Sequence, residues 1–384
     1  MKAIAYHHSL PITDADALLD IELPTPVATG RDLLVAVHAI SVNPVDAKVR
    51  KNRAPKEGQP EVLGWDAAGV VTAVGPDVTL FQVGDKVWYA GAINRPGSNS
   101  EFQLVDERIV GHMPASLDFA PAAALPLTAI TAWELLFDRL QLSRDKSLTG
   151  KSLLVIGAAG GVGSVLVQLA RQLTGVTIIG TASRAETADW VKELGAHHVI
   201  DHSLPLAQQI TRLGLPPVDY VISLNQTDKH FEQIVELIAP QGKFALIDDP
   251  EHIDVRKFKG KSVSLHWELM FTRSLFQTDD MVRQHELLEE LAHQFATARC
   301  RHFAPGFECM LGATDLLLHL GGTFPVHTAD TAAIDRRMHG LLARLVQRRV
   351  YPETIKQCGN HGSLLQSTNR KIAPSPTRRS RPYL

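Results

Sequence analysis

The glycines between Gly157 and Gly163 are spaced for chemistry. The string Gly157-Ala158-Ala159-Gly160-Gly161-Val162-Gly163-Ser164 follows four consecutive apolar residues, Leu153 to Ile156. It precedes Val165 to Leu173, where apolar residues recur at three- and four-residue spacing. The apolar run reads as a buried parallel strand and the periodic run as an amphipathic helix. Strand, glycine-dense turn and helix in that order present backbone N–H groups and a helix N-terminus to a pyrophosphate. Against G-x-G-x-x-G the matching positions are Ala158, Gly160 and Gly163, with alanine in first place. Ala159, Gly160, Gly161, Val162 and Gly163 are therefore the expected phosphate cradle.

A second strand supports that placement. Thr177 to Ala182 ends about 20 residues after the glycines, where a dinucleotide site carries its ribose-reading residue. An acid there would accept from a free ribose 2′-OH and repel a 2′-phosphate. Ser183-Arg184 stands there instead, a hydroxyl and a guanidinium that suit the phosphate. The expected coenzyme is NADPH. The plainer reading is a buried strand–turn–helix of some other α/β protein, with Arg184 merely solvated. Leu224 and Ile247 follow two further apolar strands, Asp219 to Ser223 and Lys243 to Ile247, at the carboxyl edge where coenzyme is expected.

These residues must be held by a sizeable scaffold. The chain has 384 residues, 45% of them hydrophobic, enough for two domains with a substantial core. Before residue 125 short strands dominate: Met1 to Tyr6, Asp32 to Val42, Val70 to Gly75, Gly84 to Tyr89 and Phe102 to Val105, punctuated by Gly and Pro. That spacing suggests a barrel-type β-domain. Residues 121–140 read as helical. From 151 strands alternate with helices up to Ser262–Trp267, the pattern of a doubly wound parallel sheet. The expected class is α/β: a barrel-type domain over 1–125, a Rossmann coenzyme domain over 126–268 and a return segment over 269–298.

Charge and cysteine usage bound the partners. A net charge of −2 gives no argument for nucleic acid. No opening signal segment and no run of 18 apolar residues occurs, so no membrane partner and a cytoplasmic location are expected. The three cysteines, Cys300, Cys309 and Cys358, all lie near the end, where residues 299–384 hold 13 Lys/Arg against 5 Asp/Glu. That abrupt shift fits either translation in a shifted frame or an unrelated extension, and the Pro/Ser/Arg-rich tail from Pro374 reads as disordered.

Several strings together resemble the medium-chain dehydrogenase/reductase superfamily over about residues 1–298. Gly64-Trp65-Asp66-Ala67-Ala68-Gly69-Val70-Val71 is similar to its Gly-His-Glu-x-x-Gly-x-Val segment, and Val83 to Val87 to its Gly-Asp-x-Val turn. Leu125-Pro126-Leu127-Thr128 stands before the coenzyme domain as it does there. Asn43-Pro44-Val45-Asp46 resembles the quinone-reductase branch. Together with Ile247 to Pro250 and His266 to Ser274, the pattern resembles the subgroup of zinc-type alcohol dehydrogenase-like proteins. The resemblance implies a GroES-like first domain, a small-molecule substrate in the cleft between domains, and a homodimer paired through the last sheet strand, here Ser262 to His266.

Zinc alcohol dehydrogenases draw their metal ligands from positions that here hold Asn43 and Trp65. Carboxamide and indole are not ordinary zinc ligands, and residues 1–298 hold no cysteine, so no metal site is expected. Without a metal, donors aimed at the developing oxyanion must polarise the substrate. Quinones and α,β-unsaturated carbonyls delocalise that charge and need less help than simple ketones. The resemblance places Asn43 and Thr128 at the nicotinamide end; by residue type Tyr89 and Trp65 suit pocket walls or simple core packing, and Tyr89 is a further catalytic candidate. His202 falls where relatives contact phosphate. Lys48 stands where the family often has Tyr. Two other readings stay open: an alcohol/aldehyde dehydrogenase binding zinc through other ligands, and a non-catalytic NADPH-binding sensor or scaffold.

Overall fold

The computed structural model describes residues 1–296; the expectations for 299–384 lie outside the described residues. Eight strands build the first domain: β1 (Lys2–Tyr6), β2 (Leu19–Glu22), β3 (Asp32–Ser41), β4 (Glu61–Val62), β5 (Asp66–Val74), β6 (Lys86–Tyr89), β7 (Phe102–Asp106) and β8 (Val110–His112). They form a three-stranded sheet ordered β2-β1-β4 and a five-stranded sheet ordered β7-β3-β5-β6-β8. The period-2 pattern of β3 explains its place, because Leu33, Val35 and Val37 are buried while their neighbours stay partly exposed. Helix α1 (Pro44–Asn52) leaves the end of β3. It opens with Pro in the first turn, has Asp46 there too, and closes on Arg50 and Lys51, an order that complements the helix dipole.

The connection to the second domain differs from the continuous helix expected over 121–140. Helix α2 (Phe119–Ala123) stops, and α3 (Pro126–Trp133) begins afresh at Pro126 before a π-helical stretch over Glu134–Arg139. Proline lacks an N–H and cannot continue the preceding helix, but it fits the first turn of the next one.

The second domain is a six-stranded parallel sheet of β9 (Ser152–Ile156), β10 (Thr177–Thr181), β11 (His198–Ile200), β12 (Val218–Ser223), β13 (Ile238–Leu246) and β14 (Ser264–Trp267). Their order is β11-β10-β9-β12-β13-β14, so the direction of winding reverses beside β9. Helices α4 (Gly161–Leu173), α5 (Ala185–Glu193), α6 (Leu206–Arg212) and α7 (Thr227–Leu237) cover the faces. All five residues of β9 are buried. Leu153 and Val155 face one core and Leu154 and Ile156 another, which is why this strand reads as an unbroken apolar run.

Two helices return to the first domain, α8 (Thr272–Phe276) and α9 (Arg283–Ala296). Leu288, Leu291 and Phe295 of α9 join Trp65, Trp88, Leu125, Ile130 and Val155 in one core that runs through both domains. The domains are thus clamped by a shared apolar interior as well as by the chain. No helix among the described residues is long and apolar enough to cross a membrane.

Candidate active site

The glycine turn is built as a cradle. Gly157, at φ +83°, takes a conformation that L side chains rarely adopt, and its N–H donates to Thr181 Oγ1 at 3.1 Å. Its carbonyl accepts from the Gly160 N–H at 3.0 Å, closing the turn that delivers the chain into α4. A Cβ on Gly163 would lie 2.5 Å from the Gly157 oxygen and 2.6 Å from that of Ala158. Only glycine lets the first turn of α4 sit this close to the strand end. With its N-terminal N–H groups unclaimed by side-chain caps, α4 fits a dinucleotide phosphate.

The other cofactor candidates sit along the same sheet edge. Ser183 and Arg184 follow β10 and are exposed, with Arg184 at the start of α5 and without an ion pair among the described residues. The Leu224 Cβ and Asn225 Oδ1 would stand 3.3 and 3.1 Å from a Cβ on Gly157, which places both against the turn. The Ile247 N–H donates to the Ser223 carbonyl at 3.3 Å, holding that residue at the end of β13. His202 follows β11 and meets the ring of His230 edge to face at 6.2 Å. Burial chiefly lowers the basicity of His230, and His202 and Lys229 add to it.

Thr128, in α3, touches the cradle. Its Cγ2 would lie 3.1 Å from a Cβ on Gly161, at the first position of α4. The Thr128 hydroxyl donates to the Leu125 carbonyl at 2.9 Å, which leaves its oxygen free to accept. Asn43 caps the entry to α1 and is buried. Its backbone N–H donates to Asp46 Oδ2 at 2.8 Å and its Nδ2 to Asp66 Oδ2 at 2.7 Å. The second oxygen of Asp66 accepts from the Leu127 N–H at 2.7 Å, in the first turn of α3 and beside Thr128. Asn43 and the Leu127 backbone, next to Thr128, are therefore joined through one carboxyl group.

Asp66 is 0% exposed, and burial pushes its carboxyl up to about 8, against the hydrogen bonds from Asn43 and Leu127. Burial likewise raises Asp46 to about 7, opposed by hydrogen bonds from the Asn43 and Gly64 backbone. The acid at Asp66 carried a recognisable signal: a charged residue opening an otherwise apolar strand, Asp66-Ala67-Ala68-Gly69-Val70-Val71. Sequence reasoning assigned it no role. Asn225 was passed over too, and nothing in its local sequence marks it.

The remaining candidates fall elsewhere. Tyr89 is fully buried in the barrel core with Val35, Val71 and Val110, and burial pushes its phenol far up. No contact places it beside Asn43 or Thr128. Trp65 lies in the inter-domain core, where its indole N–H donates to the Ala92 carbonyl at 3.2 Å and its ring meets Phe271 at 6.0 Å. Lys48 reaches across from α1 to Asp249, 2.8 Å away beyond β13. Arg273 is structural: it pairs with Glu134 at 2.6 Å and with Asp138 and Asp280 at 2.9 Å. Beside it, burial and the Glu134 charge push Glu268 up to about 9. No group of three or more His, Cys, Asp or Glu among the described residues could hold a metal ion.

A GroES-like barrel joined to a Rossmann sheet, with Thr128 resting against the glycine turn and Asn43 tied through Asp66 to the start of the helix that carries Thr128, defines a two-domain oxidoreductase of the medium-chain dehydrogenase/reductase type. Residues 29–115 match the alcohol dehydrogenase GroES-like domain and residues 161–289 the zinc-binding dehydrogenase domain. The chain belongs to this superfamily, alongside the zinc-type alcohol dehydrogenase-like proteins. It is 42% identical to one from Staphylococcus aureus, SAV2186, over 76% of this chain and 87% of that protein. A crystal structure of a proposed zinc-dependent alcohol dehydrogenase protein from Rhizobium etli superposes with a TM-score of 0.77 at 53% identity, covering 84% of this chain and 96% of that one. A quinone oxidoreductase from Pseudomonas syringae superposes at 0.68 with 26% identity, over 84% and 97%.

Proposed function

We propose that this chain is an NADPH-dependent reductase of quinones or α,β-unsaturated carbonyls that works without zinc. One observation carries the reading. The two positions where zinc-using relatives hold ligands are Asn43 and Trp65; one amide hydrogen of Asn43 goes to Asp66 and the indole N–H of Trp65 to the Ala92 carbonyl. A thiolate, imidazole or carboxylate would be needed for zinc. Bound NADPH supplies the hydride; the rest falls to the chain. The cradle of Gly157 to Gly163 holds the pyrophosphate, and the exposed Ser183-Arg184 pair suits a 2′-phosphate. Thr128, whose Oγ1 can accept beside the cradle, would hold the nicotinamide end. Asn43 Nδ2 keeps one hydrogen beyond the one given to Asp66, and that N–H is the donor for the substrate oxygen as negative charge gathers there.

The reading includes a cytoplasmic homodimer. β14 is the outer strand of its sheet, and Trp267 and Leu269 beside it are about half exposed, which suits pairing with a second copy. The test of the function is oxidation of NADPH and NADH by purified protein with a panel of quinones, enones and simple alkanones, with zinc measured on the same sample. Faster turnover of enones or quinones in zinc-free protein is expected. Stoichiometric zinc with preferred turnover of alcohols would sink the reading. Tight NADPH binding with no turnover would replace it with a sensor.

A further inference from the structure

We infer that Asp66 is a positioning residue: its carboxyl fixes the Asn43 amide and the first turn of α3 in one relation, so that donor and coenzyme platform stay aligned across the cleft. This rests on the function proposed above. Asp66 opens β5, opposite Ser41 of β3, and its side chain enters the junction between the barrel and α3. The two donors it receives come from elements far apart in sequence. One belongs to the residue that caps α1 and the other to the second residue of α3. Both bonds are 2.7 Å long, and each carboxyl oxygen takes one of them. The side chain is fully buried, where an ionisable group is costly unless it is held by such donors. No cation is paired with it among the described residues, so its partners are these two N–H groups.

That arrangement determines the orientation of the Asn43 amide. An amide can rotate to present either oxygen or nitrogen to the cleft. Here each Asp66 oxygen accepts one N–H, from Asn43 Nδ2 and from Leu127, so the amide presents its nitrogen to Asp66 and its second N–H is directed away. The bond to Leu127 ties the same carboxyl group to the backbone next to Thr128, which rests against the first residue of α4. A shift of Asp66 therefore moves Asn43 relative to the coenzyme platform without Asp66 itself touching substrate or coenzyme. A misplacement of about 1 Å in a reacting geometry costs up to about 100-fold in rate.

The test is a double-mutant cycle of Asp66→Asn and Asn43→Ala, with kcat, substrate KM and NADPH Kd by fluorescence titration for each protein. The amide in Asp66→Asn keeps one acceptor and turns a donor toward an N–H, so one of the two bonds is lost. Each single variant should lower kcat about 10- to 100-fold with NADPH Kd within about threefold of wild type. The double variant should be no slower than Asn43→Ala alone, because Asp66 acts through Asn43. Multiplying losses, or an unchanged kcat in Asp66→Asn, would overturn the inference. Asn43→Gln provides a second route if Asp66→Asn does not fold: it keeps the amide but displaces it by one methylene, and it should lose kcat with NADPH Kd preserved. If wild type turns over no quinone or enone, the proposed function has failed by itself. Crystal structures of wild type and Asp66→Asn then decide the positioning role, which requires the Asn43 amide to turn or shift in the variant and is refuted if it stays in place.

Discussion

Gly163→Ala tests whether the turn is a phosphate cradle. The added methyl would sit 2.5 and 2.6 Å from two carbonyl oxygens. Neither oxygen can yield cheaply, because the turn is pinned by the Gly157 conformation and by the bond from Gly157 to Thr181. The start of α4 must then retreat by roughly half an ångström or more. Overpacking of this kind costs about 1–3 kcal/mol, and alanine returns about 1 kcal/mol through better helix propensity. The net loss is at most about 2 kcal/mol, a fall in Tm of no more than about 4 °C for a chain of this size. Coenzyme binding should suffer more than stability, because the retreating turn carries the N–H groups that face the phosphate. An NADPH Kd raised by about 10- to 100-fold is expected, as for the loss of one or two charge-assisted hydrogen bonds. Gly160→Ala is the control: its Cβ would meet only the Gly157 oxygen at 3.3 Å, so a smaller effect on both readouts is expected. Fluorescence titration with NADPH and thermal melts on the same samples measure both. Gly163→Ala binding NADPH as tightly as wild type would refute the cradle.

Arg184→Ala should raise the NADPH Kd about 10-fold or more while leaving NADH unchanged, with the difference shrinking at high salt, since the guanidinium is exposed. Titration with both coenzymes at two ionic strengths checks it; equal losses for both would show that Arg184 does not read the 2′-phosphate. Asp46 and Asp66 make stability depend on pH, because folding raises both pKa values. Their contribution is full below the unfolded pKa of about 4 and is lost as pH rises through about 7 for Asp46 and about 8 for Asp66. Urea titrations between pH 5 and 8 should show a falling trend that is shallower in Asp66→Asn; an identical trend in both would refute the assignment. Arg273→Met removes the cation 2.6 Å from buried Glu134, leaving Arg139 at 3.8 Å, and should cost up to about 3–5 kcal/mol by chemical denaturation, whereas loss of under about 1 kcal/mol would mean the network is dispensable.

The coenzyme half of the fold was legible because its signals are local. β9 is buried on both faces and so is written as consecutive apolar residues, and α4 shows its inner face at regular spacing. The first domain was legible as short strands but not in its details. β4 has two residues and β8 three, too short for any alternation to register. Helix α1 was not read as a helix: Asp46 and Arg50 are among its buried residues, so polarity misreports which face is inside. Arg50 is held there by its bond to the Leu10 carbonyl, a partner 40 residues away.

The site itself divides along the same line. The turn from Gly157 to Gly163 was legible because it is one continuous segment whose backbone geometry needs glycine whatever lies around it. The proposed substrate side draws on three separate segments, Asn43, Asp66 and Leu127-Thr128, and only folding brings them within hydrogen-bond reach. Each is unremarkable locally: an asparagine before proline, an acid after tryptophan, a threonine in an apolar helix. Their meaning lies in which donor faces which acceptor. Tyr89 illustrates the converse, since a phenol near the barrel's strand end suits a pocket by residue type. In a strand the side chains alternate between faces, so with Trp88 turned to the inter-domain core, Tyr89 must face the barrel interior. The alternation was readable in the sequence; which face lined the cleft was not, because that depends on where α3 and α9 pack.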